Sequence, residues 1–414
     1  MLDTRRQQAI KIYAGRGAPR RLRRGAVNPG AVILGGDMVG LGIIRSLWQE
    51  GIPTVVLDHE PCIASYSNQK SAFFTCPPFK NHDGELLDFI EHLAGKVGLD
   101  GWVIYPTNDE AVYFLARNRD RLRKTFRVSV PPWGVVELFY DKRRTIELAE
   151  GLNIPVPRTW IVNSPENAKK LDLEFPAVIK PAIRDRFYPS TKKKAILIKD
   201  RDELVREFKS CCQVVEPSEL LIQDLIPGGP ENLYSFCPFF RDGAALASIT
   251  ARRRRQHPMD FGHASTFVET VNIPELEEMG AELLKAAGYR GICEVEFKYD
   301  QRDGTYKLLE VNTRAWGWHK IGLGAGVNFS YLLYRDLIGG QVPEVYEIRP
   351  AKWLRLSTDL PTAVKEILGG RLSFWEYISS LRGKKELAIF SWRDPLPFFM
   401  EFAIAPYLLR KRGF

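Results

Sequence analysis

No uninterrupted apolar run of about 18 residues occurs in this 414-residue sequence, so no membrane-crossing helix is expected. No apolar stretch follows the basic N-terminus before residue 31, and no secretory signal is expected either. The six cysteines, at 62, 76, 211, 212, 237 and 293, form no CxxC pair and no Cys/His ligand spacing, which argues against a disulfide framework or a zinc site. These absences point to a reducing, cytoplasmic interior. One absence is local: no glycine occurs between 182 and 200. With 45% hydrophobic residues, disorder throughout is excluded. The net charge of +9 suits a polyanionic partner, but charge alone does not choose among nucleotide, nucleic acid and anionic lipid.

The rest of the chain is organised around Ile292 to Trp318, ICEVEFKYDQRDGTYKLLEVNTRAWGW. Val295 and Phe297 alternate with Glu294 and Glu296, and Leu309 and Val311 with Glu310 and Asn312, while Arg302-Asp303-Gly304 is hairpin turn chemistry. Side chains two apart share a face, so one face is apolar and the other carries carboxylates, an amide and Arg314. A hairpin whose polar face simply meets water is the plain alternative. Against it stands Asn312, a poor strand former placed mid-strand and followed by an arginine. Carboxylate and amide oxygens from adjacent strands suit Mg²⁺, which shares its shell with nucleotide phosphates. An arginine just beyond them suits charge that develops in phosphoryl transfer.

This constellation resembles the ATP-grasp superfamily, and within it the branch of predicted carboxylate-amine ligases that includes D-aspartate ligases. The resemblance runs over residues 31 to 340. It implies ATP as cofactor, Glu296, Glu310 and Asn312 as ligands of Mg²⁺ (or Mn²⁺), and Arg314 as the group that stabilises the transferring phosphoryl.

Other landmarks follow in chain order. Residues 1–30, rich in arginine, read as a flexible basic arm. AVILGGDMVGLGIIRSLWQEG is a strand, a glycine-rich turn and an amphipathic helix, with TVVLD the next strand. Gly35, Gly36, Gly40 and Gly42 with Asp58 look like a dinucleotide fingerprint of irregular spacing. In WVIYPTNDEA, Thr107 is placed to cap a helix with Glu110 three residues on. Lys142 opens a helix where a cation opposes the dipole, which hints at a task other than stability. Lys180 ends the apolar strand FPAVIKPA, where a buried lysine needs an anionic partner. The resemblance gives both lysines to ATP phosphates, the segment Gln223, Asp224, Leu225 and Ile226 to adenine, and Glu231 to ribose, with Gln223 standing where an acidic residue is commoner. The glycine-free segment 182–200 replaces a glycine-rich flap; its basic side chains either hold phosphates or form a solvated hairpin. Arg252 to Arg255 read as a nucleic-acid patch or a charge run. Arg255-Gln256-His257-Pro258, with Gly262, Ser265 and Thr266, resembles the loop that in this branch faces the γ-phosphate and the acid substrate, which makes Arg255 a catalytic candidate. His257, His263 and His319 read as structural polar groups.

The expected fold is α/β and α+β: a Rossmann-like pre-ATP-grasp domain at 31–130 followed by a two-subdomain ATP-grasp fold at 131–340, between the arm at 1–30 and a C-terminal extension at 341–414. The chemistry implied joins a small carboxylate substrate to an amine acceptor through an acyl phosphate, releasing ADP and phosphate, with no specific nucleic acid as partner. One alternative is a non-catalytic scaffold of this fold that binds anionic lipid or nucleic acid. A dehydrogenase, suggested by the glycine loop, leaves 174–318 unexplained. The apolar tail SWRDPLPFFMEFAIAPYLLRKRGF, ending in Arg410, Lys411 and Arg412, reads either as an anchor touching anionic lipid at the inner membrane surface or as a segment packed on the protein body.

Overall fold

The structure, a computed structural model, describes residues 29–259, 262, 264–343, 345 and 347–412. The basic arm up to residue 28 and His263 lie outside the described residues. Short apolar runs form a parallel sheet of strands Ala31–Leu34, Thr54–Asp58, Ala72–Thr75, Val103–Pro106 and Arg127–Val128. Their spatial order is third, second, first, fourth, fifth, so the winding reverses between the first and fourth strands. In open α/β sheets the crevice at the carboxyl ends of those two strands is where ligands sit. Here it is bordered by residues 35–37 and 107–109.

The glycines of the first loop serve close packing. A Cβ on Gly35 (φ +104°) would meet the Thr107 hydroxyl at 2.0 Å, and one on Gly40 the Gly35 carbonyl oxygen at 2.2 Å. Asp37 caps helix Met38–Trp48, accepting from the Val39 and Gly40 N–H groups, and Asp58 Oδ2 accepts from Gly36 N at 2.7 Å. The amides that would attract a pyrophosphate are thus taken by the chain's own carboxylates. The next helix, Asp109–Arg117, is capped by Asn108 and not by Thr107, because the Thr107 hydroxyl donates to Leu34 O while Asn108 Oδ1 accepts from Ala111 N.

A small antiparallel sheet holds Thr159–Trp160, Leu220–Asp224, Ala177–Pro181 and Ile196–Ile198 in spatial order. The glycine-free segment folds as helix Arg184–Thr191 followed by strand Ile196–Ile198, which pairs antiparallel with Ala177–Pro181. The largest sheet runs Thr305–Asn312, Glu294–Asp300, Leu233–Arg241, Ala244–His257, Ala264–Val271, Lys352–Leu354, Glu386–Leu387. Its central hairpin turns at Asp242 and Gly243, both left-handed (φ 53° and 81°), as a two-residue turn matched to strand twist requires. The last two strands lie beyond residue 341, so the C-terminal segment extends this sheet.

A bulge reshapes the Glu294–Asp300/Thr305–Asn312 hairpin. Glu296 pairs with Glu310 and Phe297 with Leu308, which leaves Leu309 unpaired and shifts the phase of the strand. Leu308, and not Leu309, therefore joins Val295, Phe297 and Val311 in the core.

Two long-range ties close the body. His319 Nδ1 lies 2.9 Å from Trp316 O, and its ring sits over Gly42, where a Cβ would meet it at 2.5 Å. Arg45 of the first helix, buried, forks onto Asp394 (Nε 3.1 Å, the second terminal nitrogen 3.0 Å) and bonds the Ile389 carbonyl. Helix Leu396–Arg412 then lays Phe398, Met400 and Ile404 on the body and turns Phe399 and Phe402 outward. Among the described residues no helix is long and apolar enough to cross a membrane.

Leu308→Ala should cost about 2–5 kcal/mol in urea denaturation and Leu309→Ala less than about 1 kcal/mol; equal losses would contradict the bulge. Burial pushes His319 down to about 4. The neutral ring's contribution is therefore complete above about pH 6.5 and is lost as pH falls toward 4. Melts from pH 7.5 downward should show His319→Asn declining less steeply than the parent, by a difference on the order of 3 kcal/mol.

Candidate active site

The hairpin register sets Glu296 opposite Glu310 and Glu294 opposite Asn312. Like charges facing across strands repel, and cations from several elements converge on them. Lys142, first residue of helix Lys142–Gly151, reaches Glu310 Oε2 at 3.3 Å, while the helix itself is capped by Asp141. Lys180 comes from the strand Ala177–Pro181 and Lys194 from the turn before Ile196–Ile198. Burial alone would push Glu310 up, yet Lys142, Lys194 and Lys180 hold its carboxyl down at about 2. The lysines show the reverse: burial pushes Lys180 and Lys194 down to about 8, against the attraction of Glu310.

Asn312 Nδ2 donates to Glu294 Oε2 (3.1 Å) and Glu296 Oε1 (3.0 Å), and Ser235 Oγ to Glu294 Oε1 (3.0 Å). A terminal nitrogen of Arg253 lies 3.2 Å from Glu296 Oε2. Burial, and then the neighbouring Glu296, push Glu294 up to about 8. Arg314 turns toward the first sheet, its Nε donating to Asp109 Oδ1 at 2.7 Å. Burial would raise Asp109, but the Arg314 guanidinium holds it at about 2. Burial likewise works against the charge on Arg314, and Asp109 outweighs it. Arg184 stands 3.5 Å from the other Asp109 oxygen. The crevice of the parallel sheet and the carboxylate row are thus linked through Arg314, which also lies 3.5 Å from Asn312 Oδ1.

Arg255 is not part of it. Arg253 pairs with Val268 and Arg255 with Phe267, so Arg254 is bulged and the two arginines leave opposite faces of the strand. Arg255 is buried on the far side, forked onto Asp359 (2.8 and 2.9 Å), bonded to Ser380 and stacked over Phe267. Its expected catalytic place is corrected accordingly: each of its three nitrogens donates to the C-terminal segment.

Gln223, Asp224, Leu225 and Ile226 lead out of the small sheet toward the large one. The Gln223 amide donates to Thr159 Oγ1 (2.9 Å), Asp224 Oδ2 accepts from Arg158 Nε (2.6 Å), and the Ile226 carbonyl accepts from Lys298 Nζ (2.7 Å). Glu231 is exposed, accepts from Gly229 N at 3.0 Å and attracts the Lys298 ammonium. Sequence reasoning missed Lys298 and Asp109 near these groups, and weighed Lys194 and Arg253 only as members of basic runs without singling them out. For Lys298 a signal existed, since it alternates in phase with Glu294 and Glu296.

Among the described residues no group of three or more carboxylate, imidazole or thiolate ligands is placed to hold a metal. Glu296, Glu310 and Asn312 fit a different kind of site. Two carboxylates and an amide offer hard oxygen donors on one face, and Mg²⁺ usually takes one or two protein carboxylates with waters and substrate phosphates completing its shell.

Residues 219–357, which span the Gln223–Ile226 segment, Arg253, the carboxylate hairpin and Arg314, match the family described as ATP-grasp in the biosynthetic pathway with Ter operon. Over this stretch, about a third of its length, the chain resembles ATP-grasp proteins. D-aspartate ligase of Enterococcus faecium (strain Aus0004) is 25% identical over 227 residues, 51% of this chain and 53% of that protein. The chain spans about half the length of the curated relatives it matches. The biotin carboxylase domain of Hydrogenobacter thermophilus 2-oxoglutarate carboxylase, solved with MgADP, ADP and bicarbonate, shares the ATP-grasp fold at a TM-score of 0.60 and 20% identity, over 78% of this chain and 72% of that one. L-amino acid ligase from Bacillus licheniformis does so at 0.58 and 15%, over 79% and 80%.

The two arginines, Arg253 and Arg255, should separate in experiment. Arg255→Ala leaves Asp359 buried without its partner and should cost about 3–5 kcal/mol. Arg253→Ala should cost less than about 2 kcal/mol yet weaken Mg-ATP binding several-fold. Paired thermal melts and titration calorimetry check both, and similar behaviour of the two variants would contradict the bulge at Arg254.

Proposed function

We propose that the protein is an ATP-dependent ligase that joins a carboxylate to an amine through an acyl phosphate, releasing ADP and phosphate. The observation behind this is the convergence of Lys142, Lys180 and Lys194, from three separate elements, on Glu310. A scaffold has no use for three ammoniums gathered around one carboxylate, whereas triphosphate oxygens would take the same donors.

In this reading Lys142, Lys180 and Lys194 bind phosphates, the backbone at Asp224 to Ile226 borders the adenine, and Glu231 lies toward the ribose. Glu296, Glu310 and Asn312 hold Mg²⁺ or Mn²⁺, which when bound offsets charge on the transferring phosphoryl. Arg314, oriented by Asp109, stabilises that group and faces the crevice where the acid and the amine meet. The Arg314–Asp109 pair places a cation toward the acid and a carboxylate beside it toward the amine. The similarity to a D-aspartate ligase and an L-amino acid ligase supports the bond type, and the relative solved with MgADP supports the nucleotide and the metal.

The test is ADP release by the purified protein, screened over pairs of amino acids and other small carboxylates and amines. Lys180→Ala should weaken Mg-ATP binding at least about tenfold, ~1.4 kcal/mol. Glu310→Gln should lower the melting temperature modestly, because three lysines lose their partner, while turnover falls about a hundredfold or more. Unchanged ATP affinity in the first variant or near-normal turnover in the second overturns the assignment.

A further inference from the structure

Helix Leu356–Leu368 is amphipathic with its polarity reversed. Its buried face is polar: Asp359 holds the Arg255 fork, Thr362 Oγ1 meets His257 Nδ1 at 2.8 Å, and Glu366 pairs with Arg371. Its outer face is Leu356, Leu360, Val364 and Leu368, spaced by four residues and so aligned in one stripe, with Leu368 84% exposed. Neighbouring segments repeat the pattern. In helix Phe374–Ser380, Tyr377 turns in onto Arg255 while Phe374 and Trp375 (75% exposed) turn out. Trp392 is 88% exposed, and Phe399 and Phe402 of the last helix cluster outside Phe398. Arg255 joins the first two helices through Asp359 and Ser380, and Arg355 joins the first to the last through Glu401 at 2.7 Å. Large apolar side chains left exposed on several neighbouring segments mark an interaction surface more often than a water-facing one.

Charge is sorted in the same sense. Six acidic residues lie between 356 and 412. Asp359, Glu366, Glu386, Asp394 and Glu401 are ion-paired with Arg255, Arg371, Lys320, Arg45 and Arg355, and Glu376 caps its own helix. Lys365, Arg382, Lys384, Arg393 and Arg410 are exposed. Of these six carboxylates only Glu376 is exposed, so the exposed charge of the segment is predominantly positive. A second copy of the chain would bring these cations against one another, whereas an anionic bilayer presents the complementary charge.

We propose that this face of the C-terminal segment docks on the surface of an anionic lipid bilayer. Helix Leu356–Leu368 lies in the plane of the interface with its leucines in the acyl boundary, the tryptophans sit at headgroup level, and the surrounding lysines and arginines meet phosphates. This surface is distinct from the carboxylate crevice, and the proposal does not depend on the ligase reading.

The full-length protein is co-sedimented with vesicles of phosphatidylcholine, and of phosphatidylcholine mixed with phosphatidylglycerol, at low and high salt. Binding is expected to the mixed vesicles, weakening as salt rises. The triple variant Leu360→Ser, Val364→Ser, Leu368→Ser, altering only exposed side chains, should lower the bound fraction about tenfold or more at an unchanged melting temperature. If the triple variant melts early, Leu368→Ser alone is read in the same assay and should bind about threefold less or weaker. Failure of the parent to bind anionic vesicles overturns the proposal. So does equal binding by parent and folded variants, which would assign the contact to another part of the chain. A parent that is dimeric by light scattering, with a monomeric triple variant and no vesicle binding, would show that a second copy covers the face, and also overturns it.

Discussion

Glu296 and Glu310 face each other across two hydrogen-bonded strands, an arrangement that repels unless cations stand close. Nearly every feature of the site follows from supplying them. Lys142 arrives from a helix N-terminus where it opposes the dipole, Lys180 from the end of a buried strand, Lys194 from a turn, and Arg253 from beside a bulge. Each placement costs local stability that the carboxylates return. The same balance explains why the arrangement suits a ligand: a divalent cation can replace ammoniums at the carboxylates while phosphates replace carboxylates at the ammoniums, so neither set is left buried and alone.

The two bulges decide which groups take part. One at Leu309 lets Glu310 and Asn312 face the site while Leu308 enters the core, although 308, 310 and 312 would share a face in a regular strand. The other, at Arg254, sends Arg253 to the carboxylates and Arg255 to Asp359. Without it both arginines would crowd the crevice and Asp359 would be buried unpaired.

These bulges also mark where reading the sequence reached its end. Alternation identifies the hairpin, its turn and the polar row, because period two is a local property. Lys142 and Lys180 are legible because each breaks a local rule, one of dipole and one of burial. The glycine loop is legible as a loop but not in purpose, since its glycines answer to Thr107 and His319, far off in the chain. Arg255 is misplaced for a cause no local pattern carries: a single extra residue inverts the phase. Thr107 loses the cap to Asn108 because its hydroxyl already serves Leu34 O. Asp109 and Lys194 meet their partners only once separate layers come together, so their neighbours in sequence mark the segments but not the pairings.

The Arg45–Asp394 pair has a consequence for the order of events in synthesis. The two residues are 349 positions apart, so at a ribosomal pace of about 5–20 residues per second the arginine emerges roughly 20–70 s before its partner exists. During that interval the first helix cannot bury Arg45 without leaving a charge unpaired, and the parallel layer must wait, loosely closed, for the end of the chain. The nascent protein is thus obliged to expose the side of its first layer on which Trp316, Trp318 and Ile404 later settle, and that unfinished surface is where a chaperone would find purchase.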